Sequence, residues 1–176
     1  MAVKRTTNSD AWRHVAAKED FQGSNLKGVW QGHVYVVYSY DTPIVVYSDV
    51  TWRWFQTMEK FSVTTSKQQS QLGHALPSTT RWVRQDDLLN VIDKPDYIPA
   101  TELERAGLQV GDLCRVTRSG ALKKGSVVRV AEDPGTPELV YVEEVIAERS
   151  PKWHSWDGRT FTRIKYLEKI NGATNG

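Results

Sequence analysis

The sequence from Gly28 to Ser70, GVWQGHVYVVYSYDTPIVVYSDVTWRWFQTMEKFSVTTSKQQS, holds the densest run of β-branched and aromatic residues in the chain. Such side chains fit a pleated, half-buried surface, so the stretch predicts a sheet. The pattern predicts one strand from Val34 to Tyr40 and a returning strand from Ile44 to Ser48. Both faces of the first strand carry apolar or aromatic side chains, which indicates a central strand that is covered on both sides.

The residues after this hairpin carry both strand and helix signals. Trp52 and Trp54 stand two residues apart, which predicts that both lie on one face of a further strand. The segment 61–64 predicts another strand because β-branched residues follow a phenylalanine. Ser66 with a glutamine three residues later is typical of a capping box, so a short helix is predicted over 67–72.

Two prolines in five residues, Pro95 and Pro99, interrupt any regular element and predict a boundary between two domains. We expect an antiparallel sheet with short helices over 10–94, a linker over 95–99 and a second domain over 100–171. Beyond the linker, short strands recur between Gly and Pro turns, a spacing that favours a small antiparallel barrel. The expected strands are 113–117, 127–130, 139–146, 160–164 and 166–170. The expected fold class is therefore α+β and β-rich.

The composition is that of an ordinary globular chain, with 25% charged and 39% hydrophobic residues. No apolar run approaches the 18 or so residues of a membrane span, so no membrane partner is expected. The N-terminal Lys-Arg is followed by no apolar segment, so a secretory signal is not predicted. Cys114 is the single cysteine of the chain. It excludes an internal disulfide and fits a reducing compartment, so we expect the cytoplasm.

No catalytic constellation is recognisable in the sequence. Nucleophilic catalysis needs a base beside the nucleophile, and none of the four histidines stands in such a motif. Cys114 lies in a predicted strand among apolar neighbours, which favours a buried, inert thiol. No two histidines stand three to five residues apart, so local support for a metal site is lacking. We therefore expect a non-enzymatic protein without a cofactor or a metal.

The second half contains Gly111-Asp112-Leu113-Cys114-Arg115-Val116 and then Gly125-Ser126-Val127-Val128-Arg129-Val130. Over about Leu108 to Ile170, this GD-x-x-R-V … G-x-V-x-x-V rhythm resembles SH3-like barrels of the small phage-encoded type. The resemblance implies a fold and carries no information about a ligand.

The first half contains YVVYSY at 35–40, Pro43-Ile44, Trp52, KFSVTTSK at 60–67 and Ser70-Gln71. Over about Phe21 to Leu76 it resembles an uncharacterised domain that is common in proteins of bacteriophages and mobile elements. Relatives tend to carry His-Arg or a similar pair where this chain has Gln68-Gln69. The resemblance implies phage origin, and with it the cytoplasm of an infected bacterial host, but no known activity.

Charge alternates along the second half. Five basic residues and no acid lie between Arg115 and Arg129, whereas six acids and no base lie between Glu132 and Glu148. Cross-strand ion pairs are the plain interpretation, if these segments form neighbouring strands. The alternative is a basic patch that contacts phosphates or an acidic protein surface.

The loop 150–159 is the predicted partner-binding surface. Turn residues bound it, and two tryptophans three positions apart cannot both lie on one face of a strand. The basic turn of 118–124 is the second part of the prediction. The predicted partner-binding residues are Trp153, His154, Trp156, Arg159, Arg118, Lys123 and Lys124.

Three functions are compatible with these patterns. The first is a non-enzymatic, phage-encoded binding protein that modulates a host protein, such as a defence or nucleic-acid-processing factor. The second is a nucleic-acid-binding module in which the basic turn contacts phosphates and Trp153 or Trp156 stacks on an unpaired base. The third is a minor component of the virion.

Overall fold

The computed structural model describes residues 3–119, 122–132, 139–146 and 160–170. The chain divides into two compact units, Met1–Pro99 and Ala100–Gly176. The division falls directly after Pro99, the last residue of the predicted linker. Each unit contains one sheet, so each is described by itself.

The N-terminal unit is a seven-stranded sheet with helices on both faces. Its elements are β1 Lys4–Arg5, α1 Ala11–Ala17, β2 Phe21–Gln22, β3 Leu26–Gln31, β4 Val34–Ser39, β5 Thr42–Ser48, β6 Arg53–Thr57, α2 Val63–Gly73, β7 Arg81–Val83 and α3 Gln85–Asp93. The strands lie in the sheet in chain order. The strands β2 to β6 pair antiparallel, whereas β1 pairs with β2 and β6 with β7 in parallel.

The predicted purely antiparallel sheet is therefore wrong at both edges. In each case a helix connects the two parallel strands, α1 at one edge and α2 at the other. A helical crossover returns the chain to its starting end, which allows consecutive strands to run in the same direction. The central position predicted for β4 is confirmed, because it pairs with β3 on one side and with β5 on the other.

One face of the sheet carries a row of four aromatic rings across four strands. Trp30 lies opposite Tyr35, Tyr35 opposite Tyr47, and Tyr47 opposite Trp54. Ring centroids within the row are 5.0 to 6.4 Å apart. Aromatic pairs at such distances contribute about 0.5–1.5 kcal/mol beyond their buried area. A slip of one residue would turn a strand's ring to the opposite face, so the row specifies the register of β3 to β6.

Apolar cores lie on both faces of this sheet. On the face of the aromatic row, Ala11 and Val15 of α1 and Leu72 of α2 join the buried cluster. On the opposite face, Leu88 and Val91 of α3 pack with a second cluster formed by β4, β5, β6 and β7. The middle strands are thus covered twice, which explains their nearly continuous apolar sequence.

Helix α2 begins four residues before its predicted start. Val63 is its first residue, and the Ser62 hydroxyl caps it by accepting a hydrogen bond from the backbone N–H of Thr65 at 3.1 Å. Both the strand predicted over 61–64 and the cap predicted at Ser66 are therefore wrong. The cap at Ser62 satisfies backbone donors that would otherwise lack partners, and it outweighs the weak strand propensity of the β-branched run.

The buried face of α2 is polar except for Leu72, so apolar periodicity does not reveal it. Ser39 Oγ donates to Gln68 Oε1 at 2.5 Å. The side chain of Gln69 donates to the backbone carbonyls of Thr57 and Glu59 at 3.3 and 3.1 Å. Gln68 and Gln69 therefore attach this helix to the sheet.

The described residues of the C-terminal unit form a five-stranded antiparallel sheet preceded by one helical turn. Its elements are α4 Glu102–Arg105, β8 Leu113–Val116, β9 Val127–Glu132, β10 Leu139–Ile146, β11 Thr160–Arg163, a 3₁₀ turn Ile164–Tyr166 and β12 Leu167–Lys169. The strand order is β11-β10-β9-β8-β12. The five predicted strands are confirmed to within two residues at each end, and the described pairings leave the sheet open between β11 and β12.

The turn before this sheet begins with a capping box. Thr101 Oγ1 accepts from the N–H of Glu104 at 3.2 Å, and the Glu104 carboxylate accepts from the N–H of Thr101 at 2.7 Å. Leu103 and Leu108 then join the buried cluster of the sheet, where Cys114 also lies. The capped turn therefore packs directly on the core through these two leucines.

Gly28 is required by the aromatic row. A Cβ atom at this position would lie 2.2 Å from the Tyr35 hydroxyl and 2.4 Å from the ring of Phe21. We expect Gly28→Ala to lower the free energy of unfolding by about 1–3 kcal/mol, the usual cost of overpacking a core. Urea denaturation followed by circular dichroism measures it.

Gly73 provides the matched control. It is the last residue of α2, and a Cβ atom there would meet nothing within 4 Å. We expect Gly73→Ala to be neutral or to stabilise by up to about 1 kcal/mol, since alanine favours the helix. Equal effects of the two substitutions would contradict the close approach at Gly28.

The thiol of Cys114 is expected to be unreactive in the folded protein. Burial, with the charge of Asp112 as a lesser cause, raises the pKa of Cys114 to about 11. Because the fold favours the neutral thiol, this contribution to stability is complete below the ordinary pKa of 9.0 and is lost as the pH rises toward 11. We expect Ellman's reagent at about pH 8 to label Cys114 in urea and not in the native state. Rapid native labelling would contradict the burial.

Candidate functional site

The predicted partner-binding residues fall into two groups. Trp153, His154, Trp156 and Arg159 lie outside the described residues, so that part of the site stays a prediction. Arg118, Lys123 and Lys124 lie in the connection between β8 and β9, and all three side chains are exposed.

Hydrogen bonds fix the backbone in the described parts of the connection between β8 and β9, residues 117–119 and 122–126. Gly125 adopts a φ of 95°, which favours glycine, and its N–H donates to the carbonyl of Val116 at 2.7 Å. The N–H of Lys124 donates to Ser119 Oγ at 3.1 Å. The guanidinium of Arg118 lies 5.5 Å from the centre of the Tyr166 ring, a distance suited to a cation–π contact.

The strand register places opposite charges across from one another in this sheet. Arg129 of β9 lies opposite Glu143 of β10, and Arg115 of β8 lies opposite Glu168 of β12. Directly opposed charges of unlike sign stabilise a strand pair modestly. This arrangement favours cross-strand ion pairs as the explanation of the alternating charges in the strands. The three basic residues of the connection are the candidate basic patch.

Trp52 is the exposed aromatic residue that sequence reasoning assigned wrongly. It was predicted to share a strand face with Trp54, but β6 begins at Arg53, and Trp52 ends the four-residue loop from Asp49. Its φ is 57° and 77% of its surface is exposed, whereas Trp54 is only 8% exposed. The change of backbone region at Trp52 breaks the alternation on which the prediction depended. A bulky residue at positive φ is a genuine outlier.

Polar contacts hold this loop in place. Ser48 Oγ accepts from the N–H of Thr51 at 3.2 Å and donates to the carbonyl of Pro95 at 2.5 Å. The N–H of Asp49 donates to the carbonyl of His33 at 3.0 Å, and the side chains of these two residues are also 3.0 Å apart. The loop is therefore attached both to the β3–β4 turn and to the segment after α3. These contacts hold the loop in place, and the indole of Trp52 extends from it into water.

Sequence signals for this loop were present but weak. Asp49 directly follows the strand, and aspartate is a common turn former because its side chain bonds nearby backbone groups. The contact between Ser48 and Pro95 joins residues 47 positions apart, so no local pattern reports it. We call the exposed side chains of Val50 and Trp52 the loop tip.

The opposite end of the sheet carries a second exposed aromatic residue. Tyr40 has a φ of 56° and is 58% exposed, and its hydroxyl accepts from Asn25 Nδ2 at 3.0 Å. Beside it lies a surface pocket of about 230 Å³, lined by Gln22, Ser24, Asn25, Leu26, Lys27, Tyr40 and Asp41. Amide, hydroxyl and charged groups dominate this lining, so the pocket offers hydrogen bonds rather than apolar contact.

The described residues show two further features that bear on function. They contain no group of three His, Cys, Asp or Glu side chains that would hold a metal ion. In the same part of the chain, no helix combines the length and the apolar character that crossing a membrane requires. Comparisons with protein-family models, with curated proteins and with solved structures give no match to this chain.

Proposed function

We propose that this chain is a non-enzymatic, phage-encoded protein that binds and modulates a host protein, with the loop tip as its contact surface. The observation that carries the proposal is Trp52, an indole at positive φ with most of its surface in water. The core gains nothing from a tryptophan there, and glycine or asparagine would satisfy the backbone better. Strained, exposed residues of this kind cluster at binding sites.

The energetics of association favour this surface. Tryptophan is enriched among the few residues that dominate binding energy at protein interfaces. The hydrogen bonds of Ser48 and Asp49 order the loop in the unbound protein. An ordered loop loses less conformational entropy on binding, which leaves more of the contact energy as affinity.

We also propose that the C-terminal unit is an SH3-like barrel. Its first and last strands, β8 and β12, pair with each other, as the closure of a small barrel requires. The 3₁₀ turn of Ile164–Tyr166 lies between β11 and β12, which occupy opposite ends of the strand order. Such a turn redirects the chain from one edge of the sheet to the other.

The host-protein proposal is tested by affinity capture from bacterial host lysate with the full chain. We expect the wild type to retain a stoichiometric protein partner and Trp52→Ala to weaken that binding by about 2 kcal/mol or more, as for a hot spot. The melting temperature of Trp52→Ala should stay close to that of the wild type, because the Trp52 indole is exposed. Trp54→Ala, two residues on, should instead lose about 3–5 kcal/mol of stability, as a buried aromatic does.

A third variant, Trp156→Ala, distinguishes the two candidate surfaces. Loss of the partner with Trp156→Ala and retention with Trp52→Ala would assign the contact to the loop 150–159 and contradict the loop tip. Recovery of no stoichiometric partner by the wild type would contradict the proposal as a whole.

Nucleic-acid binding is the second candidate function. One observation favours it, namely that Arg118, Lys123 and Lys124 are all exposed on one connection. Basic side chains that neutralise phosphates release counterions, so affinity should fall steeply with salt.

The salt dependence of oligonucleotide binding tests this candidate. We expect the Lys123→Ala/Lys124→Ala double variant to reduce the slope of log K against log salt by about 1.4, as for two lost phosphate contacts on a single strand. Fluorescence anisotropy with labelled single-stranded DNA measures it. Binding that is absent at low salt, or equal in wild type and variant, would exclude this function.

A further inference from the structure

The ammonium group of Lys18 lies on the aromatic row of the N-terminal sheet. Its Nζ is 4.8 Å from the centre of the Tyr47 ring and 5.7 Å from that of Trp54. The ring of Trp30 stands at 89° to that of Tyr47, and its indole N–H donates to the backbone carbonyl of Lys18 at 2.7 Å. Two rings therefore lie against the ammonium group of Lys18, while the third bonds its backbone carbonyl.

The backbone of Lys18 is unusual for a lysine. It is the C-cap of α1 with a φ of 53°, a position that glycine favours, and its N–H bonds the carbonyls of His14 and Val15. A side chain at left-handed φ is disfavoured relative to the right-handed region. The lysine nevertheless occupies this position, with its ammonium group against the rings.

The charged group of Lys18 contacts the faces of aromatic rings. No carboxylate forms an ion pair with it in the described part of the chain, and the neighbouring Glu19 pairs instead with Lys4 and His14. The negative face of an aromatic ring attracts a cation. The rings therefore stabilise an ammonium ion in the free protein.

The lysine covers these rings without being part of the sheet. Tyr47 and Trp54 are 6% and 8% exposed with Lys18 in place, while the Lys18 residue itself is half-buried. A lysine side chain has four rotatable carbons and a strongly hydrated head. Its rotation toward water would expose the ring faces and leave the backbone of α1 and of the strands where they are.

We propose that the rings of Tyr47 and Trp54 form a binding site for an organic ammonium ion that the Lys18 side chain occupies in the free protein, with Trp30 packed edge-on against Tyr47 beside it. The expected ligand is an ammonium ion, since the ammonium group of Lys18 already lies against these rings. A methylated ammonium is the favoured ligand because aromatic cages recognise quaternary ammonium groups. The site is separate from the loop tip, and the inference does not depend on the proposed function.

Removal of the lysine side chain tests the proposal, with tetramethylammonium as the probe. Lys18→Gly suits the left-handed backbone, so it should keep the wild-type melting temperature. We expect Lys18→Gly to bind tetramethylammonium on the order of tenfold more tightly than the wild type, because the internal competitor is gone. The shifts of the Trp30 and Trp54 indole N–H resonances on titration measure the affinity, and Lys18→Asn serves as a second variant.

Two controls separate a cation site from a general effect. Lys27→Ala removes a different lysine, whose Nζ lies 4.9 Å from the Tyr38 ring, and should leave tetramethylammonium binding unchanged. Trp54→Leu in the Lys18→Gly background should abolish the gain. A titration with tert-butyl alcohol, which has a similar shape and no charge, should give no saturable shift.

The source of the ammonium is assigned by a peptide that carries trimethyllysine. Tighter binding of the peptide than of tetramethylammonium to Lys18→Gly would support the site and assign it to a modified protein side chain. Equal affinities would support it as a site for a small quaternary ammonium compound. No saturable shift with either Lys18 variant, an equal gain for Lys27→Ala, or equal binding of tert-butyl alcohol would overturn the proposal.

Discussion

The cross-strand contact of four aromatic rings, Trp30, Tyr35, Tyr47 and Trp54, is the constraint on which the N-terminal unit depends. It specifies the register of four strands, because a slip in any one of them would remove its ring from the row. The Tyr35 hydroxyl donates to the carbonyl of Glu19 at 2.7 Å, which ties the row to the segment after α1. Burial raises the pKa of Tyr35 well above its usual range, so this donor stays protonated at physiological pH.

The same register decides which aromatic residues remain outside the core. Because Ser48 and Arg53 are opposite each other, the four residues between them must form the loop that places Trp52 in water. At the other end Tyr40 occupies the tight turn between β4 and β5. Both residues have positive φ, and neither joins a buried cluster of the sheet. The candidate contact surface therefore lies in the loops that directly adjoin the strands of the core.

Local chemistry made much of this fold predictable from the sequence. The capping box at Thr101, the strands of the C-terminal unit and the central place of β4 each follow from residues close in the chain. Four features did not follow. The start of α2 at Val63 was hidden by β-branched residues, and its largely polar buried face by the expectation of apolar spacing. The exposure of Trp52 depends on the sign of one φ angle, which an alternating pattern does not encode. The hydrogen bond between Ser48 and Pro95 bridges residues far apart in sequence.

Hydrogen exchange on the complex with a captured host protein tests whether the loop tip is the contact surface. We expect amide exchange to slow over residues 49–53 and in the adjoining turn 31–33, because these two loops are bonded together and carry the contact surface. Exchange in the middle of β4 and β5 should change little, since those amides are already paired within the sheet. Unchanged exchange in both loops, together with protection confined to the C-terminal unit, would contradict the account.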